Sequence, residues 1–254
     1  MDERKNLAEK NLALLGREDY HGRWVIIGLD KIGENLIQIY GIEGRSPESR
    51  NRVLVHNPAL GSVETLPANV ANIPENSDLL FYRAMVQIGE AMENDVHIIT
   101  NGNQTDTILN SYCTGGDFYS ALLTRNYEPD TNHTPRISAM FNHEGGKINA
   151  EMSILKKSEF NDSCDRYFYQ FGSFAAGYGY CITTYSGNGN PLPPFSESPL
   201  LVPLEGDING ISEFWWDILD ENNRVSLAVK SINVKTGKYN IKIINKYSRV
   251  EDEK

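Results

Sequence analysis

Apolar and polar positions change period several times along the chain. Over residues 2–16, Leu7, Leu12, Leu14 and Leu15 recur among charged side chains at near-helical spacing, and Gly16 follows as a stop, which predicts a short packing helix. From Arg23 the pattern turns β-rich: WVIIGL, a polar turn over residues 30–35, then LIQIYGI, a hairpin opening a sheet. Short strands are expected at 53–55, 63–66, 79–82 and 96–100, with an apolar-periodic piece around Met85, Ile88 and Met92 between the last two. Residues 106–125 carry Ile108, Leu109, Tyr112, Phe118, Tyr119, Leu122 and Leu123 at three- and four-residue spacing, interrupted by Gly115-Gly116, so one or two helices are expected. Strand patterns return at 136–141, 148–155 and 178–185, with a helix-compatible SFAAG between the later two. Five prolines from Pro191 to Pro203 mark an irregular segment over 190–210, and residues 211–219 with the alternating run 239–244 close the ordered chain.

No boundary divides this pattern, so a single domain over 1–254 is expected, with residues 1–19 as a helical extension. Strands, then helices, then strands without a regular βαβ rhythm argue for a layered α+β domain rather than a doubly wound parallel sheet. A hydrophobic fraction of 40% against 23% charged residues allows a sizeable core and excludes a disordered chain. Lys and Arg number 24 against 34 Asp and Glu, a net charge of −10, which opposes sequence-independent binding to nucleic acid or an anionic membrane. No apolar stretch reaches the roughly 18–20 residues of a membrane helix, and the mixed acids and bases of residues 1–16 resemble no signal peptide. A cytoplasmic protein with no membrane partner is expected. Three cysteines without a CxxC pair suit reduced thiols.

Against the acidic background, residues 44–52 (GRSPESRNR) hold three arginines just after a strand. Guanidinium forks bind phosphate bidentately, and Ser46, Pro47 and Ser49 would complete an oxyanion cradle; a solvated basic loop explains the segment equally well. Asn101-Gly102-Asn103-Gln104-Thr105-Asp106 follows a strand and precedes a helix, a turn with a helix cap or a site for base or ribose recognition. Residues 127–137 (YEPDTNHTPRI) crowd two acids, an imidazole and Arg136 at a strand start. Glu128 there is a candidate general base and Arg136 a candidate anion partner, or the two form a surface ion pair beside stiffening prolines. His21, His56, His97, His133 and His143 show no metal-ligand spacing, and no nucleophile elbow, P-loop or GxGxxG after a strand is present. No metal is assigned.

Tyr20-His-Gly-Arg23, Arg45-Ser46 followed by Arg50, Asn101-Gly102 with Asp106, and Thr134-Pro135-Arg136-Ile137, in this order, resemble the archaeal-type IMP cyclohydrolase family over residues 20–185. The resemblance implies a four-layer αββα sandwich similar to N-terminal nucleophile hydrolases, without a processed terminal nucleophile. It also implies a function: closing the purine ring of formamidoimidazole carboxamide ribonucleotide to inosine monophosphate with loss of water, with no cofactor. By the same resemblance the catalytic residues are Arg45, Tyr82 and Glu128, and Arg50, Asn101, Gly102, Asp106, Thr134 and Arg136 bind the nucleotide. Gln104 and His133 depart from the family's pattern, as does the chain's length. Two other readings stay open: an amide hydrolase of the related fold using Cys113, Cys164 or a serine, and a non-catalytic nucleotide binder. A homo-oligomer is likewise left open.

Overall fold

The computed structural model describes residues 3–74, 77–89, 95–144 and 147–250. Two antiparallel sheets dominate. The first holds β1 (Arg23–Leu29), β2 (Asn35–Glu43), β10 (Tyr178–Thr183), β11 (Leu200–Pro203), β12 (Arg224–Asn233) and β13 (Tyr239–Asn245), in the order β11-β10-β1-β2-β12-β13. The second is a meander of β3 (Val53–Asn57), β4 (Ser62–Leu66), β5 (Arg83–Ile88), β6 (Val96–Thr100), β7 (Arg136–Glu144), β8 (Lys147–Lys157) and β9 (Cys164–Phe171), paired in sequence order. The helices are α1 (Glu3–Leu15), α2 (Pro47–Arg50), α3 (Gln104–Cys113), α4 (Phe118–Leu123) and α5 (Ile208–Ile218).

Side-chain alternation along the strands sorts the core into layers. In β1, Val25 and Ile27 join Tyr40 and Ile42 of β2 in a cluster shared with Met85, Ile99 and Phe141 of the second sheet, which is the seam between the sheets. Trp24 and Ile26 point the other way, against Leu15 of α1 and Ile211 and Trp215 of α5. On the second sheet, Val86, Ile98 and Met140 pack with Ile108 of α3 and Phe118 and Leu122 of α4. Both outer faces are therefore covered by helices, and strands buried on two faces read as continuous apolar runs such as WVII. Gly28 and Gly179 are cross-strand partners, and a Cβ on Gly28 would lie 2.4 Å from the Gly179 Cα. GYGYC is thus a close-packed strand that needs both glycines.

The α+β reading holds, and several local expectations change. Residues 79–82 form no strand; a 3₁₀ turn at Ser77–Leu79 leads into β5, which starts at Arg83 and takes in Met85 and Ile88. Met92 lies outside the described residues. SFAAG is a turn and not a helix: Tyr178 N donates to Ala175 O and Gly177 sits at φ +83°, a conformation that ends helices. Strands β9, β11 and β12 were not expected; β9 alternates weakly because it is a half-exposed sheet edge.

The inter-sheet seam carries buried polar and charged groups. Lys230 of β12 lies opposite Gln38 of β2, with its Nζ 4.3 Å from the Tyr239 ring centre, while Gln38 Nε2 donates across the seam to His97 O at 2.9 Å. Burial pushes the Lys230 amine down to about 7, opposed by the nearby Asp95 carboxylate. Between pH 7 and the ordinary lysine range near 10.4, the unfolded chain binds a proton that the folded chain does not, so this group makes stability rise with pH. The stability of Lys230→Met relative to wild type should therefore fall by about 2 kcal/mol between pH 7 and 9. Urea unfolding at the two pH values checks this, and parallel curves for the two proteins would refute it.

Candidate active site

A cavity of about 450 Å³ opens where β1, the loop after α4, and the residues beyond β10 converge. Its floor is an ion pair. Arg23 Nη2 lies 2.9 and 3.0 Å from the two Glu128 carboxylate oxygens, and both side chains are almost wholly buried. Gly22 makes this approach feasible: its φ is +79°, and a Cβ there would stand 2.3 Å from Thr184 Oγ1. Burial raises the Glu128 carboxyl above the usual glutamate range, with Arg23 and then Arg136 pulling the other way. Arg23 Nε has no hydrogen-bond partner among the described residues, which leaves a buried donor beside the cavity.

Arg136, the first residue of β7, donates from Nη1 to Gln104 Oε1 at 2.7 Å and from Nε to Asn126 O at 3.0 Å. A Cβ on Gly102 would stand 2.7 Å from Arg136 Nη1 and 3.3 Å from Glu128 Oε1, so glycine there lets the backbone reach the charged floor. Glu128 does not pair directly with Arg136, as the sequence suggested; Arg23 takes that place. Asn101 is a buried clamp, donating to Pro135 O and accepting from Ile137 N and Gln104 Nε2. Asp106 pairs with Arg83 at 2.6 Å on a half-exposed surface and does not line the cavity.

Thr134 does line it. Its Oγ1 lies 2.5 Å from Asp130 Oδ2 and 2.7 Å from the Tyr185 hydroxyl. Tyr82 lies deeper, in the inter-sheet seam, where its hydroxyl is 2.6 Å from that of Tyr40 and it is not among the cavity-lining residues.

The arginine loop splits in two. Exposed Arg45 stands at the mouth, with its guanidinium 4.7 Å from the Tyr20 ring centre and donating to Asn188 Oδ1 (2.5 Å) and Gly189 O (3.2 Å). Arg50 turns away, donating to Gly44 O and Asn223 Oδ1 and lining a separate cavity. The reason is α2 itself: Ser46 and Ser49 form a reciprocal capping box that starts a helical turn at Pro47, so that Arg45, before the cap, and Arg50, at the end of the turn, leave the loop on different sides. The serine hydroxyls are engaged in that cap.

Sequence reasoning gave no role to Tyr185 or Asp130, and took Tyr20 and Arg23 only as parts of a motif. Tyr185 reaches the site because β10 pairs with β1 in a register that sets Thr183 opposite Trp24, a long-range pairing that no local pattern encodes. Of the cysteines, Cys181 is buried with its thiol pushed far up by burial, Cys113 is exposed on α3, and none lines the cavity. Among the described residues no His, Cys, Asp and Glu group could hold a metal ion, and no helix is long and apolar enough to cross a membrane.

A family model described as IMP cyclohydrolase-like protein matches residues 20–237, a span that takes in every cavity residue discussed above. No curated protein matches the chain.

Proposed function

This chain belongs to the IMP cyclohydrolase-like family, and from that premise we propose that it closes the purine ring of formamidoimidazole carboxamide ribonucleotide, releasing inosine monophosphate and water in the cytoplasm. The observation that carries the reading is the buried Arg23–Glu128 pair on the floor of a cavity whose mouth presents Arg45. We further read the two helix-covered sheets as the four-layer αββα sandwich of the N-terminal nucleophile hydrolase type.

The chemistry is intramolecular. The carboxamide nitrogen forms a bond to the formyl carbon while the C=O π pair moves to oxygen. The C–O bond then breaks as the formamido nitrogen supplies the electrons of the new C=N bond. Two protons leave nitrogen and both end in the departing water. The enzyme therefore has to hold one rotamer, accept and return protons, and stabilise negative charge on oxygen. Glu128 suits the acceptor role because burial favours proton uptake, while the unpartnered Arg23 Nε is a donor for the oxygen. Tyr82 would act from behind Arg23, through its contact with Tyr40, without meeting the leaving oxygen. Thr134, Arg136 and Gly102 would shape the base end, and Asn101 would act by holding the loop. The absence of a cysteine at the cavity disfavours thiol-based amide hydrolysis.

Appearance of inosine monophosphate absorbance during incubation with the formamido ribonucleotide tests the reaction; binding without turnover would instead support a nucleotide-binding protein. Arg45 is the phosphate residue in this scheme. Arg45→Met should weaken inosine monophosphate binding about ten- to a hundredfold, the value of a charge-assisted contact of roughly 1.5–3 kcal/mol. Arg50→Met should act only indirectly, by loosening Gly44. Calorimetric titration checks both, and unchanged affinity for the Arg45 variant removes it from the site.

A further inference from the structure

The hydroxyls of Thr134 and Tyr185 and the Asp130 carboxylate form a line that no step above uses. Asp130 Oδ1 accepts from Thr134 N at 2.8 Å, and its Oδ2 lies 2.5 Å from Thr134 Oγ1. A carboxylate oxygen only accepts, so the single Thr134 hydroxyl hydrogen points to Asp130. Thr134 Oγ1 is then an acceptor for its other neighbour, the Tyr185 hydroxyl at 2.7 Å. Direction is fixed along the whole line: Tyr185 donates to Thr134, which donates to Asp130. All three residues line the cavity together with Arg23 and Glu128.

We infer that Asp130, Thr134 and Tyr185 are a second proton line of the active site, with Tyr185 meeting the substrate and Thr134 and Asp130 as positioning residues that draw its proton away. The inference rests on the ring-closure reading above. One of the two nitrogen protons goes to Glu128. The other passes to the Tyr185 oxygen as the Tyr185 proton moves to Thr134 and the Thr134 proton moves to Asp130, with the N–H bond pair left on nitrogen. The Glu128 proton passes to the oxyanion to make a hydroxyl, and the reverse shift along the line delivers the second proton to that hydroxyl, which leaves with the C–O pair as water, so both lines end as they began. Arg23 faces both lines: it pairs with Glu128, and its charge also acts on Tyr185. Burial pushes the Tyr185 hydroxyl up to about 12, so between turnovers it stays protonated and acts as a link.

A purely structural role is the rival, because Asp130 also ties the turn before β7. Turnover of the formamido ribonucleotide is measured for wild type, Tyr185→Phe, Thr134→Val and Thr134→Ser, with melting temperature and inosine monophosphate affinity on each. Tyr185→Phe and Thr134→Val should lower kcat about a hundredfold, within the range for lost general acid–base assistance, with KM and nucleotide affinity within a few-fold. Thr134→Ser, which keeps the hydroxyl, should recover most of the turnover. An active wild type with full kcat in Tyr185→Phe, or with equal kcat in the two Thr134 variants, overturns the proton line and leaves the ring-closure reading standing. A wild type that binds inosine monophosphate but turns nothing over overturns the ring-closure reading, and the proton line falls with it.

Discussion

Replacing Glu128 by Gln should depress turnover per folded molecule by about 10²- to 10⁴-fold, the range for removing a positioned general base. A carboxamide nitrogen is a poor nucleophile because its lone pair is delocalised, so taking its proton as the bond forms lowers the barrier. The amide keeps the shape and an acceptor for Arg23 but cannot take a proton. The wild-type rate should also fall on acidification as Glu128 is protonated. Its midpoint should lie above the ordinary glutamate range, because burial outweighs the pull of Arg23 and Arg136. Stability is affected too, since Arg23 loses a charged partner. The decisive number is therefore kcat normalised to the folded fraction, with nucleotide affinity as control. Near-normal turnover in the folded variant would exclude Glu128 from the chemistry.

Arg23→Met should be the most destabilising substitution at the site, costing roughly 3–5 kcal/mol, because it strands a buried carboxylate. Both Glu128 oxygens accept from the same Arg23 nitrogen, and among the described residues no other group donates to them. Adding Glu128→Leu to that variant should restore much of the loss, since neither charge is then buried alone. Denaturant unfolding of the single and double variants measures both effects. A single variant within roughly 0.5 kcal/mol of wild type, the spread of neutral surface changes, would show that the pair contributes little to folding.

Much of this architecture was legible along the chain because strand alternation and glycine placement are local. The first hairpin, β3, β4, β6, β7, β8 and α4 fall where apolar periodicity puts them. The site was half legible. Glu128 and Arg136 stood out as ionisable groups crowded at a strand start, yet the true partner of Glu128 is 105 residues away in sequence. Arg45 and Arg50 looked like a pair in one loop, and the capping box of α2 separated them. Tyr82 read as a strand residue facing a ligand, whereas it ends a 3₁₀ connection and faces Tyr40. Tyr185 carries no local mark at all. Its place follows from sheet register, which sums many pairings and is encoded in none of them.

The two sheets are assembled from different parts of the chain. Every strand of the seven-stranded sheet pairs with its neighbour in sequence, whereas the six-stranded sheet joins β1 and β2 to strands beginning at Tyr178, across roughly half the chain. Loop closure over such a span is entropically unfavourable, and non-local pairings of this kind slow folding. Arg23 lies on β1 of that sheet and Tyr185 just beyond its β10, while Glu128 and Thr134 lie on the loop that feeds β7 of the other. Neither sheet alone holds a complete cavity, so the cavity exists only when the long-range pairing of β1 with β10 has been made.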